Sequence, residues 1–392
     1  MDFELSDDQQ QLAQSLDRVL REHGGFEKRR VVAATQAGWS ETLWGHLAEL
    51  GVTALGISEA HGGLGGGAVD RLAVLQAFGA VQLLEPYLAS CVLGATAVQA
   101  AGSIAQQQAL LPAVAEGRMR LAWAHEEAAT RHAPLWVQMS ARREDSGWRL
   151  TGAKSLVLGA AAATQWVVSA RIEGEADSPQ GLGLFLVQPG AAGARLRAYR
   201  LVDDTAAGEL ILDDVQAEAL GNVADGACAA AAIRAVQAAG TAAACADMVG
   251  AMESAFALTT AYINTRKQFG RAIGDYQAVR HRSADMAVAL EMARSMAVAA
   301  ASVADDPDAP GAAIELARAK LVVGRHARAL CEAAIQSHGG IGMTEEYAVG
   351  HCLRRVHVQD HLFGDVDAQA ARLIGLSRTN KRTNPTSQET KT

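Results

Sequence analysis

The spacing of hydrophobic and polar positions changes twice along the chain. Up to about residue 118, apolar residues recur with the period of an amphipathic helix, as in the series Leu12, Leu16 and Leu20. Ser6 and Gln9 have the spacing of a capping box just before that series. We therefore predict a helical N-terminal domain over residues 1–118.

The middle and the end of the chain have different periods. Residues 119–222 contain short segments that alternate or run apolar, are rich in Val, Leu and Trp, and are separated by Gly, Pro and Asp, which predicts a small β-domain. The helical period then returns over residues 223–378 and predicts a four-helix bundle. Its helices are predicted at 226–262, 276–303, 309–337 and 344–376. The polar tail 379–392 is predicted to be disordered.

Composition narrows the class of protein. The net charge of −8 has no long basic run behind it, which argues against nucleic acid or an anionic membrane as a partner. The acidic start lacks the apolar segment of a signal peptide. Five cysteines without a CxxC pair predict reduced thiols in a cytoplasmic protein, and no metal site is indicated. The Ala-rich stretch 226–252 contains Arg234 and Asp247, so we predict a buried helix there and not a membrane span.

Two segments of the last region combine unusual residues. YINTRKQFGRAIGDYQ, residues 262–277, places Arg266, Phe269 and Gln277 around a glycine-rich turn. QSHGGIGMTEEY follows at residues 336–347. Neither segment has the pattern of a Walker phosphate loop and neither follows a predicted strand, so the phosphate binding of βαβ folds does not apply.

These segments resemble the C-terminal helical domain of the acyl-CoA dehydrogenase family, flavoenzymes that desaturate acyl-CoA thioesters at Cα and Cβ. LAELGVTALGISEAHGGLGG, residues 47–66, resembles the family signature of the N-terminal helical domain. The predicted order of helices, β-domain and helical bundle is also that of the family, and the resemblance covers about residues 1–378. It implies FAD as cofactor, an acyl-CoA substrate and electron-transfer flavoprotein as the electron acceptor.

In the family, a carboxylate removes the α-proton of the thioester while the flavin accepts the β-hydrogen as hydride. Relatives carry this base either in a "YEGT" turn or on the first helix of the C-terminal bundle. In RRVHVQDHLFGDVDAQ, Phe363 stands where the first glutamate would be, and the second position falls at about Gly240. Neither residue can accept a proton. The resemblance therefore predicts that both base positions are empty, and that Phe363 packs as an apolar plug.

The flavin-ring motifs of the β-domain are also changed. Relatives have "TExxAGSD" and "WITN", whereas this chain has AHEEAATRH and KSLVLGA, which puts Leu156, Val157 and Leu158 at the ring-contacting positions. By contrast, the residues that in relatives reach the FAD of a neighbouring subunit are retained. They are Arg266, Phe269, Gln277, Gln336, Gly339 and Gly340. This combination resembles the small subunit of heteromeric bacterial acyl-CoA dehydrogenases of the pimeloyl-CoA and steroid side-chain types, which form α2β2 assemblies with a glutamate-bearing homologue.

Three functional hypotheses follow. The first is a subunit that completes the FAD site of its partner. The second is a homomeric dehydrogenase whose base has moved to Asp365 or Glu127, with Glu126 as a further carboxylate near the changed motif. The third is a flavin-free structural protein on the same scaffold. Individual residues also have ordinary interpretations: Arg266 could pair with a surface carboxylate, and we interpret His338 as structural.

Overall fold

The computed structural model describes residues 7–130, 132–145, 147–223 and 226–383. It confirms the predicted fold class, with helices at both ends of the chain and a small β-domain between them. The predicted capping box cannot be assessed, because Ser6 lies outside the described residues.

The N-terminal region is built from short helices. They are α1 (Asp7–His23), α2 (Phe26–Ala33), α3 (Glu41–Glu49), α4 (Ala68–Val81), α5 (Ala95–Ala101) and α6 (Ile104–Ala115). A π-helical segment, Leu88–Gly94, leads into α5. The loop between α3 and α4 needs its glycines, because a Cβ at Gly63 would lie 1.9 Å from the carbonyl oxygen of Ile57. This loop is therefore a close-packed turn and not a cradle for phosphate.

The β-domain closes on itself. Its strands are β1 (Leu121–Ala124), β2 (Ser140–Glu144), β3 (Gly147–Leu158), β4 (Gln165–Arg171), β5 (Leu182–Val187), β6 (Ala194–Arg200) and β7 (Ala206–Ala219). The pairing order is β4-β2-β3-β7-β5, and β5 pairs again with β4, so these five strands form a barrel-like ring. Fully buried apolar side chains such as Leu150, Val168 and Phe185 fill its interior.

The C-terminal region contains long helices. They are α7 (Gly226–Thr265), α8 (Gln277–Ala304), α9 (Ala312–His338), α10 (Ala348–His361) and α11 (Val366–Thr383). A short hairpin of β8 (Lys267–Gln268) and β9 (Arg271–Ala272) joins α7 to α8. Of the described helices, α7 and α8 are long and apolar enough to cross a membrane, but the most apolar window of α7 is 72% buried inside the protein. The burial of α7 is thus that of a core helix.

Two predictions for this region were wrong. The helix predicted at 344–376 is two helices, because Phe363 and Gly364 have φ angles of +62° and +93° and interrupt it. The last helix also continues to Thr383, five residues into the tail predicted to be disordered at 379–392, and residues 384–392 lie outside the described part of the chain. The break matters most, because it turns the Phe363 side chain out of the helical register.

A buried ion-pair network joins two regions of the protein. Arg355 on α10 donates to both carboxylate oxygens of Asp247 on α7, at 2.8 and 2.6 Å. The same guanidinium donates to Asp203, in the loop between β6 and β7, at 3.0 Å. All three side chains are buried. This network ties the helical bundle to the β-domain.

Candidate active site

A cavity of about 310 Å³ lies between the β-domain and the helical bundle. Its walls come from the first strand and following loop, the end of β3, helix α7 and the break between α10 and α11. The lining residues are Leu93, Trp123, Glu126, Glu127, Ala128, Thr130, His132, Pro134, Ser155, Leu156, Leu158, Gln237, His361, Leu362, Phe363 and Gly364. Both changed flavin-ring motifs and the vacated "YEGT" position are thus in one cavity.

The two empty base positions meet in space. A Cβ placed on Gly240 would lie 2.4 Å from the ring carbons of Phe363, so the ring sits directly against the glycine. Phe363 also packs with the apolar cluster that contains Leu158, Val358 and Leu362. The Phe363 ring therefore fills the space beside Gly240 as an apolar plug.

Polar groups hold the turn that carries this ring. The carbonyl oxygen of Phe363 accepts hydrogen bonds from Gln369 at 2.8 Å and from Gln237 at 3.2 Å. The fully buried ammonium of Lys320 donates to the carbonyl oxygens of Asp360 at 2.6 Å and of Gly364 at 3.3 Å. The left-handed backbone of Phe363 is thus over-determined by its neighbours, which is the condition under which a strained residue persists.

Asp365 is engaged elsewhere. Its carboxylate accepts a hydrogen bond from the backbone N–H of Ala368 at 2.8 Å, the geometry of an N-cap on α11. That hydrogen bond lowers the pKa of the Asp365 carboxyl, the opposite of what a general base for a weakly acidic proton needs. Asp365 is also not among the residues that line the cavity.

Glu127 reaches the cavity wall but is held by a buried ion pair. Its carboxylate lies 2.6 Å from the ammonium of Lys154, which is fully buried, and accepts backbone hydrogen bonds from Gln138 and Met139. Lys154 also donates to Ser169 at 3.0 Å. This arrangement satisfies Glu127 as a structural anion.

The neighbouring carboxylate is Glu126, which the sequence places near the changed flavin motif. It is half-buried in the cavity and accepts a hydrogen bond from the hydroxyl of Thr130 at 3.2 Å. Burial raises the pKa of the Glu126 carboxyl, and the Thr130 hydrogen bond opposes that shift. Of the ring-contacting positions, Leu156 and Leu158 line the cavity, but Val157 points into the core of the barrel, as strand alternation requires.

The residues predicted to act on a neighbouring subunit lie on another surface. The ring of Tyr262, at the end of α7, stacks on the ring of His338, at the end of α9, with centroids 4.5 Å apart. Tyr347 packs against His338 at 4.9 Å. His338 is buried in this aromatic cluster, in keeping with its structural interpretation. The cluster brings the segments 262–277 and 336–347 to the same end of the bundle.

The predicted side chains at this end face solvent. Arg266, Phe269, Gln277 and Gln336 are exposed, and Phe269 has 92% of its surface accessible. Within the described residues, no carboxylate forms an ion pair with Arg266. Glu253 binds Arg294 instead. An exposed aromatic ring and a guanidinium with no ion-pair partner among the described residues thus lie three residues apart in this segment.

The two glycines at this end are not required by packing either. A Cβ on Gly339 or Gly340 would meet no atom within 4 Å. Gly339 has a φ of +65° and needs glycine for its backbone, but Gly340 has no such constraint. An open glycine on an exposed turn lets another molecule approach the backbone closely.

A helical N-terminal region, a closed β-domain and a helical bundle, with a cavity between the last two, define a fold found among flavin-dependent dehydrogenases. The family model "Acyl-CoA dehydrogenase, N-terminal domain" matches residues 6–118, and "Acyl-CoA dehydrogenase, C-terminal domain" matches residues 241–374. The chain belongs to the acyl-CoA dehydrogenase family.

Individual relatives agree with this assignment. The chain is 27% identical over 379 residues to acyl-CoA dehydrogenase FadE27 of Mycobacterium tuberculosis, covering 95% of this chain and 98% of that protein. It is 29% identical over 314 residues to FadE12 of the same species, covering 78% and 80%. A solved variant of the Tcur3481-Tcur3483 steroid ACAD is 28% identical with a TM-score of 0.85, covering 96% of this chain and 99% of that one.

Proposed function

We propose that this chain is the non-base-bearing subunit of an FAD-dependent acyl-CoA dehydrogenase. It completes the FAD site of a homologous subunit that carries the catalytic glutamate, in an α2β2 assembly. The observation that carries the proposal is the surface at the end of the bundle, where Arg266 and Phe269 are exposed and a Cβ on Gly340 would meet no atom within 4 Å. FAD is the cofactor.

The residues of this surface fit a nucleotide bound mainly by another chain. A planar guanidinium that lacks an internal partner suits the paired oxygens of a pyrophosphate. Exposed amides on Gln277 and Gln336 can add hydrogen bonds, and the open backbone at Gly340 permits close approach. When bound, FAD supplies the hydride acceptor, and the part of this chain is to bind and orient it.

The cavity of this chain is poorly suited to hold a flavin ring and a catalytic base of its own. The positions that in relatives contact the flavin ring are the aliphatic side chains of Leu156 and Leu158, and Phe363 occupies the position of the base. The second hypothesis, a base moved to Asp365 or Glu127, is opposed by the N-cap bond of the first and the Lys154 pair of the second. The third hypothesis, a flavin-free protein, leaves the exposed surface unexplained.

The partners in this proposal are an acyl-CoA substrate, the glutamate-bearing homologue and electron-transfer flavoprotein, in the cytoplasm. Similarity to a steroid ACAD supports steroid or lipid degradation as the setting. The test is co-expression with such a homologue. We expect a stoichiometric yellow complex, and a chain that binds FAD poorly alone. A yellow, active homomer would establish the second hypothesis, and a protein that stays colourless with every partner would establish the third.

Arg266→Ala should weaken FAD binding by the complex. Loss of a hydrogen bond to a charged group costs about 1.5–3 kcal/mol, which is about 10- to 150-fold in affinity. Arg266→Lys should recover only part of the lost FAD affinity, because an ammonium is a point charge and cannot form the two parallel hydrogen bonds of a guanidinium. Flavin fluorescence titration of the apo-complex measures the effect. Arg318→Ala, an exposed arginine on α9 paired with Glu315, is the matched control. Unchanged flavin affinity in Arg266→Ala would rule out this role.

Gly340→Ala should separate binding from folding. The added Cβ meets no atom of this chain, so the free energy of unfolding should stay within about 0.5 kcal/mol of wild type. In the complex, the methyl group should crowd the cofactor and cost about 1–3 kcal/mol, or about 5- to 150-fold in FAD affinity. Gly45→Ala on α3, where a Cβ also meets nothing within 4 Å, is the control and should leave FAD binding unchanged. Equal FAD affinities in both variants would contradict the proposed contact.

A further inference from the structure

The hairpin between α7 and α8 has an unfavourable turn. Two residues, Phe269 and Gly270, connect β8 to β9, with φ angles of +51° and +84°. Two-residue hairpin turns of this left-handed type favour Asn-Gly or Gly-Gly, and a phenylalanine at the first position is strained. Its ring is 92% exposed, so burial of the ring offsets little of this strain. Such strain persists where a function uses it.

The side chain of Tyr276 makes three contacts with this hairpin. The hydroxyl of Tyr276 donates to the carbonyl oxygen of Gln268 at 3.2 Å. The guanidinium carbon of Arg271 lies 4.0 Å from the centroid of the Tyr276 ring, within the range of a cation–π contact. The edge of the Phe269 ring packs on the same tyrosine, with centroids 6.5 Å apart and an interplanar angle of 87°.

The base of the hairpin is held as well. Arg280, on the first turn of α8, donates to the carbonyl oxygens of Gly274 at 3.2 Å and of Asp275 at 3.1 Å. The backbone N–H of Ile273 donates to the carbonyl oxygen of Arg266 at 2.8 Å, which ties the far side of the hairpin to the residue that precedes it. The position of Arg266 therefore depends on the hairpin.

We propose that Tyr276, together with Arg271, is a positioning pair that preforms this hairpin as a binding arm. This inference rests on the proposed function, since the arm presents Phe269 and Arg266 to the cofactor site of the partner subunit. Neither Tyr276 nor Arg271 needs to touch the cofactor. Their part is to order the arm before binding, because a flexible arm would lose its conformational freedom on binding and so lower the affinity.

The arm itself is tested on the chain alone. Amide hydrogen exchange of residues 267–272 should be faster in Tyr276→Ala than in wild type, with an unchanged midpoint of global unfolding. Tyr276→Phe keeps the ring beneath Arg271 and loses only the bond to Gln268, so its exchange should lie close to wild type. Unchanged exchange in Tyr276→Ala would overturn the proposal.

The link to the cofactor is tested on the complex by FAD titration. Tyr276→Ala and Arg271→Ala should each raise the dissociation constant about 2- to 12-fold, the equivalent of one or more side chains that must be ordered on binding. Their double variant should be less than additive, because both act through one contact. Arg318→Ala should change nothing.

Failure of this inference differs from failure of the proposed function. If Arg266→Ala weakens FAD binding and Tyr276→Ala does not, the cofactor role of the surface stands and the positioning role falls. Hydrogen exchange in the hairpin of Tyr276→Ala could rise while Arg266→Ala and Tyr276→Ala both bind FAD with wild-type affinity. The arm would then be ordered by Tyr276 but would not serve the cofactor, and the proposed function would fall.

Discussion

Lys154→Met is expected to lower the free energy of unfolding by about 3–5 kcal/mol, because it leaves a buried carboxylate without its counter-ion. The ammonium of Lys154 is fully buried and lies 2.6 Å from Glu127 and 3.0 Å from the hydroxyl of Ser169. Burial lowers the pKa of Lys154 to about 8, and Glu127 opposes that shift, so the side chain is charged at neutral pH.

Chemical denaturation of the variant and wild type measures this effect. Lys28→Met is the matched control, because Lys28 is exposed and bonds only the carbonyl oxygen of Glu22, so its loss should cost less than about 0.5 kcal/mol. The double variant Lys154→Met/Glu127→Leu should recover part of the lost stability, since neither charge then remains buried. A loss below about 1 kcal/mol for Lys154→Met alone would mean that Glu127 is not held as a structural anion.

The pair also shows where sequence inference stops. Lys154 and Glu127 come from β3 and from the irregular segment after β1, and no local period relates them. The sequence could place Lys154 in a strand by its alternating neighbours. It could not show that the lysine faces inward to meet a carboxylate 27 residues away, since burial of a charge is decided by its partner in space.

The same limit applies to the adjacent carboxylates Glu126 and Glu127. Both carboxylates line the cavity, but only Glu127 is paired with the buried ammonium of Lys154 in the described part of the chain. The segment lies beyond the end of β1, and no apolar alternation continues through it to indicate which is which. Only the structure shows that Glu127 is the one held by Lys154.

At the wall of the cavity formed by Phe363, family resemblance predicted more of the structure than hydrophobic periodicity did. Matching motifs singled out Phe363 and Gly240, positions 123 residues apart, as the vacated sites, and the structure places them in contact. Periodicity, by contrast, predicted one helix across 344–376 and missed the break. Apolar spacing continues through the interruption, and the local signals were limited to Gly364 and the N-cap residue Asp365. The break arises from tertiary hydrogen bonds to Lys320, Gln237 and Gln369.

Turnover of the complex is expected to depend on a carboxylate of the partner subunit and not on one of this chain. Replacing the glutamate of the partner's "YEGT" turn by glutamine should lower kcat by about 10²- to 10⁴-fold, the contribution of a general base. Asp365→Asn in this chain should leave kcat within a few-fold of wild type, because its carboxylate caps α11.

Glu126→Gln in this chain is the third and most informative variant of that experiment. Glu126 lies in the cavity and burial raises the pKa of its carboxyl, so it has the environment that a base for a weakly acidic proton needs. We expect it to be idle nonetheless, because the proposed function assigns proton abstraction to the glutamate of the partner subunit. All three variants must be compared at equal FAD content and subunit ratio. A loss of about 10²-fold or more in Glu126→Gln or Asp365→Asn would place the base in this chain and overturn the heteromeric proposal.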